Sequence, residues 1–157
     1  MATIERPADP ASGDAPLAGA VRYLVAQAAG QPVAFRVDAV REIIPSRVPT
    51  RLPGAEAWVL GLLNLRGTVL TVVDLTVRFG GTSGAGASIV VLDVGGRTFG
   101  VQVERVHAVT DVADVLVTAV EEGRSAGGLA TGLAPVAGGT ALVLDVMALQ
   151  RAALADA

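Results

Sequence analysis

From Val21 onward the chain is a succession of short apolar runs, each stopped by glycine, proline or a polar pair. Runs of this length, rich in Val, Leu and Ile, read as strands rather than helices. The pattern predicts strands near 21–28, 33–37, 43–51, 60–65 and 68–73, and a second set near 88–94, 97–103, 106–112, 130–136 and 140–145. Helical turns are predicted at Asp38–Glu42 and Gly54–Val59, and a closing helix from Met147 to Leu154. Strands at this spacing with turn signals between them suggest a barrel or a sandwich. Residues 1–19, rich in Ala, Pro, Gly and Asp, read as a disordered arm, and 20–154 as one domain. The Gly-rich stretch 80–88 reads as a flexible linker between subdomains of about 33–80 and 88–145.

The two strand sets look like copies of one unit. Val37-Asp38-x-Val40-x-x-Ile43 matches Val103-Glu104-x-Val106-x-x-Val109 at an offset of 66. Gly61, Gly67 and Asp74 match Gly132, Gly138 and Asp145 at an offset of 71. The extra five residues fall between these blocks, where Glu122 to Gly128 reads as a longer loop.

The repeat isolates one residue. Gly61 to Leu75 reads as a hairpin whose turn is Asn64-Leu65-Arg66-Gly67. The second copy has Pro135-Val136-Ala137-Gly138. Both copies keep the glycine, which tight turns use for positive φ. Only the first carries Arg66, a permanent cation with five donors in a rigid fork. The fold unit therefore needs the glycine and not the arginine.

Composition narrows the chemistry. The 157 residues are 52% hydrophobic and 17% charged, with no cysteine and one histidine. Disulfides, thiol chemistry and a zinc ligand set are excluded, and no metal or other cofactor is expected. The net charge of −3 argues against nucleic acid as a partner. The first 80 residues carry eight arginines against seven acids, and the remainder four against eight, so the halves stand near +1 and −4. No apolar run approaches the ~18 residues of a membrane span, and no secretory signal opens the chain, so a cytoplasmic protein without membrane insertion is expected. His107 lies in an apolar stretch without Ser or a second His and reads as a surface or strand-edge residue. The Gly-rich stretch lacks a P-loop lysine. Asp74 and Asp145, at matched positions, could in principle share a proton as in an aspartic hydrolase. The glycine that such a motif places after the aspartate is absent, and each Asp reads as the cap of a short following helix. Trp58 reads as a core anchor.

Trp58 to Leu75, with its N-L-R-G turn, together with Val40-Arg41-Glu42-Ile43, resembles the signature of the CheW-type coupling domain of bacterial chemotaxis. The resemblance runs from about Val21 to Leu149. One departure is Thr71, where the family often has proline. It implies an all-β fold of two intertwined five-stranded SH3-like β-barrels with short helices and a C-terminal helix. It also implies a non-enzymatic adaptor that links chemoreceptor tips to the regulatory domain of the histidine kinase CheA, or serves a chemotaxis-like pathway controlling pili, gliding or another output. The family's partner-binding positions fall here on Val40, Glu42, Ile43, Gly61, Arg66 and Val109. Glu42 and Arg66 are then expected at the rim of an apolar groove between the barrels.

Overall fold

The computed structural model describes residues 17–84, 87–121 and 125–157. Most of the expected arm, residues 1–16, and part of the expected 122–128 loop lie outside them. Eleven strands form among the described residues: β1 (Ala20–Ala28), β2 (Gln31–Arg36), β3 (Val40–Pro45), β4 (Val59–Leu65), β5 (Thr68–Asp74), β6 (Ser88–Val94), β7 (Arg97–Val103), β8 (Arg105–Ala113), β9 (Thr118–Ala119), β10 (Ala130–Val136) and β11 (Gly139–Leu144). Two helices follow the two repeat-related hairpins, α1 (Leu75–Arg78) and α2 (Val146–Asp156). The all-β expectation is met.

The strands make a six-stranded sheet, β8-β1-β2-β11-β10-β9, and a five-stranded sheet, β3-β6-β7-β5-β4. The expected subdomains 33–80 and 88–145 are therefore not the units that pair. Hairpin β1–β2, at the start of the first copy, joins the strands of the second copy. Hairpin β6–β7, at the start of the second copy, joins the strands of the first. The exchange is reciprocal to the residue: Leu24 pairs with Val109, and 66 positions on Val90 pairs with Ile43. A parallel contact seals each sheet, Val143 opposite Ala34 in one and Val72 opposite Gly100 in the other.

This exchange explains why the central strands are apolar without alternation. In β1, Tyr23 and Val25 face a cluster inside the six-stranded sheet, whereas Leu24 and Ala26 face the other sheet. In β6, Ile89 and Val91 face a cluster with Ile44, Leu63, Leu65 and Leu70, and Val90 and Leu92 face the shared interior. Ile44 of one edge strand shares that cluster with Leu63 of the other edge, so the five-stranded sheet curls onto itself. The shared core between the sheets is closed by Phe35, Phe99, Leu75 and, from α2, Leu149 and Ala153.

Several boundaries differ from expectation. The turn expected at Asp38–Glu42 is a 3-10 turn at Val37–Ala39, and β3 starts at Val40 because its register to β6 continues the sheet. Val40 and Ile44 consequently do not share a face: they enter different clusters. The strand expected to reach residue 51 stops at Pro45, and only Thr50 rejoins the sheet, through Leu62. The helical turn expected at Gly54–Val59 is absent: 54–58 is turn and irregular chain, and Val59 opens β4. The linker is tied down where it is described. Ser83 donates to the Asp74 carboxylate, and the Ala87 carbonyl accepts from the Ser46 amide. Trp58 anchors the core as expected, with its indole N–H on the Asp156 carboxylate at 2.8 Å and the Arg78 guanidinium over its ring.

Arg22 of β1 grips Asp111 of β8 at 2.8 Å across the sheet. The guanidinium hydrogen bond holds the Asp111 carboxyl below its usual range near 3.8. A carboxyl whose folded pKa is depressed stabilises the fold above its unfolded pKa, and that contribution is lost as pH falls through the folded value. Asp111→Asn should therefore melt below the wild type at neutral pH. The gap should close in melting curves taken progressively below pH 4, and a gap constant with pH would show that the charge is not responsible.

Candidate partner-binding site

Arg66 and Gly67 form the two-residue turn between β4 and β5, and both adopt positive φ, 50° and 85°. Such turns match the right-handed strand twist and favour Asn-Gly. An arginine held there costs roughly 1 kcal/mol. The Asn64 carboxamide oxygen accepts from the Gly67 amide at 2.9 Å and steadies the turn. In the second copy the positive angles fall on Gly138 and Gly139, and Ala137 is not strained. Arg66 thus occupies a position that backbone chemistry gives to another residue.

Its side chain is 69% exposed and makes an ion pair with Glu42 of β3, itself 27% exposed. The pair spans the open end of the curled sheet, over a depression of about 210 Å³ lined by Leu65, Thr68, Leu70 and Val91. The repeat-related opening of the other sheet is lined by Val25, Pro32, His107, Ala108, Val136 and Ala137 and reaches about 480 Å³. There Ala137 and Ala108 stand where Arg66 and Glu42 stand in the first copy. His107 lies at that opening as an exposed strand residue, 3.0 Å from the Gln27 carboxamide oxygen.

The six expected site residues divide into groups. Glu42 and Arg66 come together at the mouth of the five-stranded sheet. Val40 and Val109 are buried in the core between the sheets, and Ile43 lies partly exposed against the same core. Successive residues of β3 point to opposite faces, so Glu42 and Ile43 do not share one groove wall. Gly61 is buried at a β-bulge with φ 136°, and a Cβ there would lie 2.0 Å from the Thr50 carbonyl oxygen. Its role is architectural. Gly132 repeats the bulge, where a Cβ would lie 2.9 Å from the Thr118 oxygen.

Asp74 and Asp145 make no dyad. Asp74 ends β5 and Asp145 directly follows β11 of the other sheet, and one oxygen of each accepts the amides two and three residues on, Thr76 and Val77 for Asp74 and Met147 and Ala148 for Asp145. The other Asp74 oxygen accepts from Gln102 at 3.0 Å. Among the described residues no cluster of His, Asp and Glu has a metal-binding arrangement.

A family model described as the CheW-like domain matches residues 22–153. The chain belongs to the CheW-like domain family. A chemotaxis protein CheW from Rhizobium meliloti (strain 1021) is 37% identical over 97 residues, covering 59% of this chain and 63% of that protein. The chain thus matches less than two thirds of that relative's length. The chemotaxis protein CheW of Bacillus subtilis (strain 168) is 39% identical over 57 residues, 36% of each chain. The crystal structure of the scaffolding protein TtCheW from Thermoanaerobacter tengcongensis superposes with a TM-score of 0.74 over 80% of this chain and 89% of that one, at 20% identity, which establishes the shared fold. The CheW family is one of chemotaxis scaffolds rather than enzymes. No helix among the described residues is long and apolar enough to cross a membrane.

Two substitutions separate architecture from contact in this CheW-like chain. Arg66→Asn relieves the turn and loses only a solvent-exposed ion pair, worth at most about 1 kcal/mol. Its stability by urea titration should be unchanged or about 0.5 kcal/mol higher; a loss beyond about 1 kcal/mol would make the arginine structural. Gly61→Ala should cost roughly 2–4 kcal/mol, from strained φ and the Thr50 clash together. Gly132→Ala should cost less in the same titration.

Proposed function

We propose that this chain is an adaptor that couples chemoreceptor tips to the regulatory domain of the kinase CheA, working in the cytoplasm through protein contacts alone. The observation that carries the reading is the Arg66 turn. A cation is kept at a strained left-handed position, exposed, where its own repeat manages with alanine. Stability gives no reason to keep it, and proteins retain such costs where a contact repays them.

Within the expected site, Arg66, Glu42 and Ile43 keep accessible surface and are the residues proposed to touch a partner. Arg66 orients that partner by hydrogen bonds from its planar fork. Glu42 holds the fork in place before docking and can accept a donor in its own right. Ile43 offers apolar surface at the edge of the shared core. Val40, Val109 and Gly61 act from beneath, by fixing β3, β8 and the β4 bulge. Substitutions there would alter binding by moving the strands.

The test is titration of Arg66→Ala against a receptor cytoplasmic fragment and against the kinase regulatory domain, with thermal stability followed in parallel. If Arg66 is a hot spot, binding to at least one should weaken by about 2 kcal/mol or more, with the melting temperature unchanged. Unchanged binding to both removes Arg66 from the site.

A further inference from the structure

The two copies of the repeat end alike but are closed differently. At the end of the first copy Asp74 lies opposite Gln102 of β7. The matching positions of the second copy are Asp145 and Arg36, where the parallel register of β11 and β2 runs out. The first corner is covered. Asp74 is 1% and Gln102 5% exposed, and the segment leading into β6 lies over them. Ser83 donates to the Asp74 oxygen that the α1 cap does not use. The Gly81 amide donates to the Thr76 carbonyl at 2.8 Å, and a Cβ on Gly81 would lie 2.9 Å from the Thr76 methyl. Thr76, in the first turn of α1, is consequently 3% exposed.

The second corner is open. Met147, which matches Thr76 at the offset of 71, is 56% exposed. Both capping bonds of Asp145 fall on one oxygen, and its other oxygen has no partner among the described residues. Arg36 reaches only the exposed Asp38, at 3.5 Å. Tyr23 is 3% exposed, and its hydroxyl makes no hydrogen bond among the described residues. Tyr23, Arg36, Val117, Val143, Asp145 and Met147 line a groove of about 480 Å³.

The repeat names the occupant. The first corner is covered by the residues that lead into β6. β1 matches β6, so the counterpart is the segment that leads into β1. The described chain starts at Leu17, whose carbonyl accepts from the Ala20 amide at 2.9 Å in a turn just before β1. That turn is at the groove's end of the sheet, because β1 starts where β2 ends and β11 runs parallel to β2. Two strand spacings and three residues of β1 separate the turn from Asp145, roughly 15 Å. About five extended residues span such a distance. Ser12 stands five residues before Leu17, followed by Gly13 and Asp14. Ser83 stands five residues before β6 and is likewise followed by a glycine, Gly84.

We infer that residues 12–16 lie in this groove as an internal strap, the counterpart of the segment over Asp74. Ser12 donates to the free Asp145 oxygen, as Ser83 does to Asp74. Asp14 meets Arg36, the cation that stands where the first copy has the uncharged Gln102. A segment tethered at the edge of the groove also outcompetes a free peptide of the same chemistry, through its high effective concentration.

The test uses the full chain, whose lack of cysteine leaves no background. Gly13→Cys combined with Met147→Cys should form a disulfide under mild oxidation, at a rate independent of protein concentration. Gly13→Cys with Leu154→Cys is the control, because Leu154 is exposed on α2 about two turns further along. The Met147 pair should close about tenfold faster than the control. Adding Arg36→Glu should remove most of that advantage with the melting temperature unchanged, since Arg36 is exposed. Equal closure at Met147 and Leu154, or no response to Arg36→Glu, overturns the inference. Disulfide-linked dimers that increase with concentration place a second copy's segment in the groove and overturn it too. Neither the receptor nor the kinase enters the test, so either result leaves the adaptor reading untouched.

Discussion

Two short parallel pairings, β2 against β11 and β5 against β7, close the two sheets that the antiparallel pairings β1–β8 and β3–β6 begin. Each joins a hairpin from one copy of the repeat to the strands of the other. Without them each sheet would be an unfinished ribbon with an apolar face open to water. With them, both faces of β1 and β6 are buried, one inside a curled sheet and one against the opposite sheet. Burial on both faces, at roughly 25 cal/mol per Å² of apolar surface, lets a chain with few aromatic residues build its core from Val, Leu, Ile and Ala.

The division of labour at the candidate site follows from this layering. β3 lies at an edge, so its alternate residues look in different directions: Val40 and Ile43 toward the shared core, Glu42 toward the mouth of its own sheet. A bulge between Val40 and Glu42 makes that split possible. A substitution at Val40 and one at Glu42 can then both disturb partner binding by unrelated routes, one through packing and one through contact. Burial separates the routes, and neighbourhood in the sequence does not.

Local chemistry was legible in the sequence wherever one residue type decides it. Asp74 and Asp145 were readable as helix caps because a short acceptor before a helix has few other uses, and both carboxylates bond the expected amides. The hairpin ending at Arg66 was readable from glycine spacing, and so was the repeat. The pairing of the strands was not. Apolar runs with both faces buried carry no alternation, so nothing in β1 or β6 names its neighbour; the linker at 80–88 suggested that each half closes on itself, and only the family resemblance implied that the two are intertwined. The break at Pro45 was overrun because Val48 and Thr50 suit a strand, although Pro45 and Pro49 argue against one. Gly61 was placed in the binding site by family resemblance, and only the Thr50 carbonyl above it reveals why a side chain is forbidden. The left-handed backbone of Arg66 had no signature, since the repeat marked only Gly67 as the turn residue with positive φ.

The hairpin exchange also dictates a schedule for synthesis on the ribosome. The five-stranded sheet uses β3 to β7, a continuous stretch ending at Val103, and has all its strands once that residue has emerged. The β1–β2 hairpin is made first and yet finishes last, because its parallel partner β11 ends at Leu144. Closing a loop of that length is slow relative to local pairing. During that interval β2 lacks its parallel neighbour in the six-stranded sheet.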